Sequence, residues 1–360
     1  MFGGQSGTQA FQNQTMSVSG QLIQGTPDGL PLPEAMELEL QVINISDVEV
    51  LSRHQTVSTA DGSFVFADVP RYIQDDVIYT VVARYDGVEQ FSDSYTAESA
   101  SFIEMPIYET TSSLDDVSIA EGNFLITFLD LPAEVATNTP LRQTEISILM
   151  ELNLVNQGDH IVYQHAPEGD IPSHSIGIEL PVGAYNIAQQ DPLNPRFSIE
   201  GGIIPVIYDQ IPIPPGKVHR IVISFFTDYN NGAVIDQVFP VPASGLQILI
   251  PEETVQISSD HFSRQADVLA SENEERYQVY EQIGTLGRNE SLIFTIEGRP
   301  SRTINTAQAD TSSAQQRDEE ETEESSGINL VLVVGISLGL FGLLIGIIIW
   351  QRKRATLADF

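Results

Sequence analysis

A chain of 360 residues with a formal net charge of −34 and no cysteine excludes a disulfide framework, a thiolate metal site and a cysteine nucleophile. So acidic a surface repels nucleic acid, which is therefore not an expected partner. The charge lies ahead of residue 328, where 13 Arg and Lys stand against 49 Asp and Glu.

Residues 1–15 are rich in Gly, Gln, Asn and Ser and are expected to be disordered. From residue 16 the chain reads as short β segments between turn signals. Residues 17–23 form a first strand and 26–33 a proline-rich loop. Met36, Leu38, Leu40 and Val42 alternate with Glu37, Glu39 and Gln41, the period-two pattern of a half-buried strand. Two short strands are expected at 48–51 and 55–58. Ala60-Asp61-Gly62-Ser63 is a tight turn into Phe64-Val65-Phe66, with Asp61-Gly62 supplying the positive φ that a short turn needs. Residues 78–85 are the most apolar strand. Asp86-Gly87 turns it into 88–91, and 101–107 closes the unit. Phe64 and Phe66 share one face, as do Tyr79, Val81 and Ala83, and two such faces make a sandwich core.

The run Thr59-Ala-Asp-Gly-Ser-Phe-Val-Phe-Ala-Asp-Val-Pro70, followed by Tyr79-Thr-Val-Val-Ala-Arg-Tyr-Asp-Gly87, resembles the carboxypeptidase regulatory-like (transthyretin-like) β-sandwich. The resemblance covers residues 16–107. It implies a non-catalytic stability or recognition module, grouped with carbohydrate-binding-like folds. That family has no fixed sugar-binding residues, so none carry over to this chain.

After a polar hinge at 109–116 a second β-rich region begins. Residues 123–129 are apolar, and Ile146, Ile148, Met150, Leu152 and Leu154 give a clean alternation. His174, Ile176, Ile178 and Leu180 repeat it. Further strands are expected at 203–208, 218–226, 233–239, 246–250, 277–282 and 292–296. Prolines punctuate them, marking strand ends or edges. About nine strands at this spacing point to a second sandwich. Residues 260–276 are expected to hold a short helical turn. Residues 299–326 carry the run Asp318 to Glu324 and Ile304 as their one large apolar residue. They form a flexible stalk with a span of about 30 Å.

Residues 328–350, INLVLVVGISLGLFGLLIGIIIW, contain no charge. At about 1.5 Å per residue they reach roughly 35 Å, enough to cross a bilayer core. Arg352, Lys353 and Arg354 follow directly, and an acidic cluster precedes. Positive-inside logic then places the tail in the cytoplasm and the N-terminal part outside. The start has neither the basic nor the apolar region of a signal peptide, so this orientation requires a leader ahead of Met1. The rival is a tail anchor with both sandwiches in the cytosol. Gly335, Gly339, Gly342 and Gly346 fall on one helical face, where close backbone approach would support a weak homodimer in the bilayer.

Candidate chemistry is sparse. Gly335-Ile-Ser-Leu-Gly339 matches the hydrolase G-x-S-x-G pattern, but it lies inside the apolar span with no neighbouring His or Asp. His160, His165 and His174 are close in sequence, yet they lack any metal-ligand spacing. Paired carboxylates such as Asp75-Asp76 and Asp115-Asp116 are expected by chance in so acidic a chain. Asn13, Asn44 and Asn289 head N-x-S/T sequons.

The expected architecture is all-β: a disordered 1–15, a carboxypeptidase regulatory-like sandwich at 16–108, a second sandwich at 117–298, an acidic disordered stalk at 299–326, a transmembrane helix at 327–350 and a basic tail at 351–360. The expected function is that of a non-enzymatic, single-pass extracytoplasmic binding or scaffold protein. Its partners are the lipid bilayer and a carbohydrate or protein ligand, and no cofactor is required. Alternatives are an accessory subunit of envelope assembly or maturation, or part of a surface hydrolase.

Overall fold

A computed structural model describes residues 14–47, 49–130, 144–166, 172–189, 196–229, 232–251, 255–270 and 276–298. The expected stalk and membrane helix, the glycines at 335, 339, 342 and 346, Ser337 and the basic tail Arg352–Arg354 lie outside the described residues. Within them the protein is all-β, and no helix is long and apolar enough to cross a membrane. The chain divides into two compact units, Met1–Thr111 with Asp159–Ile161, and Ser112–Gly158 with Val162–Phe360.

The first unit contains β1 (Thr15–Gln24), β2 (Glu37–Asn44), β3 (Glu49–Val57), β4 (Ser63–Pro70), β5 (Val77–Tyr85), β6 (Val88–Phe91), β7 (Phe102–Ile107) and the two-residue β8 (Thr110–Thr111). One sheet runs β4-β1-β7, with β1 antiparallel to β4 and parallel to β7. The other runs β3-β2-β5-β6, antiparallel throughout. Period-two alternation dictates the sandwich. Leu38, Leu40 and Val42 of β2 are buried, and so are Tyr79, Val81 and Ala83 of β5. They pack with Val18, Leu22, Phe64, Phe66, Ile103 and Met105 of the other sheet. Phe64 and Phe66 meet edge-to-face at 5.7 Å. Each such side chain contributes about 1.5–3 kcal/mol on burial.

The turns follow the residues that can make them. Asp86 and Gly87 both adopt positive φ, 49° and 77°, the two-residue type I′ link between β5 and β6. Gly62 takes φ +84°, and its N–H donates to the Thr59 carbonyl at 2.8 Å. Asp61 Oδ1 accepts from the Thr59 hydroxyl at 2.6 Å and from Ser63 N–H at 3.1 Å. The Thr59 hydroxyl, followed by Ser63, holds the Asp61 carboxyl below its ordinary range. The two strands expected at 48–51 and 55–58 are one, β3, because its whole length pairs with β2 and absorbs a bulge opposite Val42 and Ile43.

The second unit is built on β9 (Val117–Asp130), β10 (Thr144–Asn156), Val162 of the two-residue β11 (Ile161–Val162), β12 (Ile176–Glu179), β13 (Tyr185–Gln189), β14 (Phe197–Glu200), β15 (Val206–Asp209), β16 (Val218–Tyr229), β17 (Gly232–Val238), β18 (Leu246–Pro251), β19 (Val255–Ser258), β20 (Phe262–Ala270), β21 (Arg276–Gln282) and β22 (Ser291–Gly298). A seven-stranded sheet runs β13-β16-β10-β9-β18-β21-β20, with β9 and β18 parallel. Two three-stranded sheets, β12-β15-β14 and β17-β22-β19, share one core with it. Phe124, Phe128, Ile146, Ile148, Met150, Phe225, Phe239 and Phe294 are fully buried there. Phe124 and Phe294 meet at 6.1 Å, and Phe128 and Tyr229 at 5.1 Å. Leu125, Leu149, Val222, Leu249, Tyr277 and Val279 form a separate buried cluster.

Three expectations change here. Where a helical turn was expected within 260–276, the described residues Phe262–Ala270 are strand β20, paired antiparallel with β21 across a bulge between Arg264 and Val268. Phe262 anchors it against Phe294 at 6.0 Å, so sheet pairing overrides the local helical pattern. The strand expected at 203–208 begins only at Val206, because Gly201-Gly202 open a turn that leaves Ile203 83% exposed. There are also more strands than about nine, since the short β13, β14 and β19 carry no clean alternation of their own.

Candidate functional site

In the first unit, the solvent face of the four-stranded sheet forms a shallow open groove of about 510 Å³. Strand pairing sets its floor. Glu39 stands opposite Gln55 on one side and Val82 on the other, and Gln41 stands opposite Arg53. Val82 is in turn opposite Phe91, and Arg84 opposite Glu89. Odd positions of β2 and β3 thus meet even positions of β5, all pointing away from the core. Phe91, opposite Val82 on the edge strand β6, is 53% exposed, and Val57 on the β3 side is 52% exposed.

Glu39 is the hub of the groove. Its Oε1 accepts from Gln41 Nε2 at 2.7 Å and from Arg53 Nη1 at 2.6 Å. The Gln41 bond holds the Glu39 carboxyl below its usual range. Partial burial opposes that shift, while Arg53 and Gln55 add to it. The lining sets Glu37, Glu39 and Glu89 against Arg53 and Arg84, so its charges are nearly compensated. Planar amide, carboxylate and guanidinium groups in a row can bond pairs of hydroxyls or a peptide backbone. The groove's polar lining is made of carboxylates, amides, guanidinium groups and the Thr56 hydroxyl.

The buried polar centre of the second unit is different in kind. Asp209 on β15 is 1% exposed. Its Oδ1 accepts from Arg196 Nε at 2.7 Å and from Ile211 N–H at 3.0 Å. Its Oδ2 receives Arg196 Nη2 and also His219 Nε2, the latter at 2.7 Å. Burial alone would raise the Asp209 pKa, but the hydrogen bonds from His219 and Arg196 outweigh it and hold it low. Asp209 and His219 are closed off from solvent, Arg196 keeps a quarter of its side chain exposed, and the cluster works as a structural tie.

The residues singled out in the sequence fall in separate places. Asp61, Gly62, Phe64 and Phe66 form the turn and core described above. His160 faces Asp159 at 2.5 Å, His165 packs on Tyr163 at 5.2 Å, and His174 packs on Tyr208 at 4.7 Å. The backbone partner of His174 is Gln164, not His165. Among the described residues no group of three or more His, Cys, Asp or Glu could hold a metal ion. Asp115 bonds Arg288 at 2.7 Å. Asn44 Oδ1 accepts from Ser46 N–H at 2.8 Å at the end of β2, whereas Asn289 sits exposed in a turn. The groove itself was not foreseen. Its signal was the run of Glu and Gln at the outward positions of β2, which reads in sequence as an ordinary solvated face.

No protein family matches this chain, and no curated protein does. Among solved structures it is similar to a variant of a two-domain M1 zinc metallopeptidase bound to L-tryptophan, at 9% identity and a TM-score of 0.29. That match covers 54% of this chain and 44% of the peptidase, less than half its length. It is also similar to the full-length major pilin SpaD from Corynebacterium diphtheriae, at 8% identity and a TM-score of 0.19, over 79% of this chain and 81% of the pilin.

Proposed function

We propose that this chain is a non-enzymatic, membrane-anchored binding or scaffold protein. Its β-sandwich units face outward, and the groove around Glu39 is its ligand surface. The observation that carries the reading is the groove floor. Glu39, Gln41, Gln55 and Arg53 form a pre-ordered row of planar hydrogen-bonding groups beside Val57 and Val82. Ordering these side chains before binding lowers the entropy cost of holding a ligand. Near-neutral charge suits an uncharged carbohydrate or an extended peptide better than a strongly charged polymer. The sequence resemblance of residues 16–107 to carboxypeptidase regulatory-like sandwiches supports a recognition module. The uncharged span at 328–350 with Arg352, Lys353 and Arg354 behind it supports the anchor and its orientation.

The test is a paired glycan and peptide array, probed with the full chain in lipid nanodiscs. The reading predicts a binder that is lost in the Glu39→Ala/Arg53→Ala double variant and kept in Glu49→Ala, a change on the same sheet but outside the groove lining. Binding that survives the double variant would move the ligand away from this groove. No binder on either array would remove the recognition role.

A further inference from the structure

A second surface lies in the other unit, on the outer face of the β12-β15-β14 sheet, and is independent of the groove. In register there, Gly177 stands opposite Tyr208, which stands opposite Ser198. One step along, Glu179 stands opposite Val206, which stands opposite Glu200. The alternate residues, Ile176, Ile178, Ile207, Asp209 and Phe197, are buried on the inner side. The outer face therefore carries one aromatic ring, two exposed carboxylates and no basic group among these six positions.

The ring is fixed before any ligand arrives. A Cβ on Gly177 would lie 2.9 Å from the Tyr208 ring, so only glycine lets the ring settle against β12. The Tyr208 hydroxyl donates to Glu200 Oε2 at 3.0 Å, and the His174 ring packs on the Tyr208 ring at a centroid distance of 4.7 Å, inclined by 60°. Tyr208 nevertheless remains half-exposed. A held π-face with a carboxylate on each neighbouring strand is complementary to a flat cation.

We propose that this face receives an arginine side chain of a basic protein partner, its guanidinium stacked on Tyr208 and bonded to Glu179 and Glu200. Arginine fits better than lysine because a planar guanidinium can stack and bond two carboxylates in its own plane, whereas an ammonium is a compact point charge. The strongly acidic chain draws a basic partner in from a distance. The ring then sets the choice between the two cations.

The full chain in nanodiscs is titrated with a fluorescent Gly-Arg-Gly-Arg-Gly peptide and its lysine counterpart at about 0.15 M salt, where long-range attraction is screened. The arginine peptide should bind about three-fold tighter or more. Tyr208→Phe, which keeps the ring, should keep that preference, and Tyr208→Ala should erase it. Glu179→Gln with Glu200→Gln should weaken the arginine peptide about ten-fold. Equal binding of the two peptides by the unmodified chain, or a preference that survives Tyr208→Ala, would overturn the proposal. So would absence of arginine-peptide binding. A neutral oligosaccharide such as maltoheptaose whose binding disappears in Tyr208→Ala while the arginine peptide is unaffected would also overturn it.

Discussion

Asp209 on β15 accepts a hydrogen bond from His219 on β16 at 2.7 Å, and this bond ties a three-stranded sheet to the seven-stranded one. Both residues are buried, and Arg196 completes the tie from the start of β14. Removing Asp209 leaves His219 without its acceptor in the interior and Arg196 without its counter-charge.

The Asp209→Ala variant should lose about 2–3 kcal/mol of stability, less than a fully buried pair because Arg196 keeps some contact with water. The pH dependence has a definite sign. The folded pKa of Asp209 lies below the ordinary value of 3.8, so its contribution is present above that pH and is lost as pH falls through the folded pKa. Urea melts should therefore show a constant gap between unmodified chain and variant above about pH 5, closing below about pH 4. A gap that widens on acidification would contradict the assignment.

Gly62→Val should destabilise the first unit by about 1–3 kcal/mol. Its φ of +84° is strained for a β-branched residue, and a Cβ there would also lie 2.8 Å from the Leu22 carbonyl oxygen. Thermal melts of the full chain should show one transition shifted down. An unchanged melt would remove the turn assignment.

Gly20→Ala should cost a similar amount for a different reason. A Cβ at residue 20 would lie 2.2 Å from the Ile103 carbonyl oxygen and 2.3 Å from the Phe64 ring. The cost is overpacking of about 1–3 kcal/mol rather than backbone strain. Truncating the ring should therefore not restore stability, because the Ile103 backbone stays in place. A Gly20→Ala/Phe64→Leu double variant as stable as Phe64→Leu alone would show that the backbone can yield.

Much of the first unit was legible because its strands alternate strictly and its turns carry their own chemistry. Leu38, Leu40 and Val42 are buried as their spacing requires, and Asp86-Gly87 makes the two-residue turn. The second unit was less legible where pairing, not pattern, decides the element. Strand β20 owes its extended form to β21 and to Phe262, and a four-residue strand such as β14 is too short to show a period. The two surfaces proposed to bind were least legible. Glu39, Arg53 and Val82 come from three strands, and Gly177, Tyr208 and Glu200 from three others, so only the cross-strand register brings them together.

The outward orientation of the units is the central claim, because a ligand surface on the wrong side of the membrane meets a different set of molecules. Protease added to intact cells, with a tag fused after Phe360, tests it most directly. The account predicts that both sandwich units are digested from outside while the tag, behind Arg352, Lys353 and Arg354, stays protected until the membrane is lysed. Units that survive until lysis would contradict it, and the extracytoplasmic binding role would fall with them.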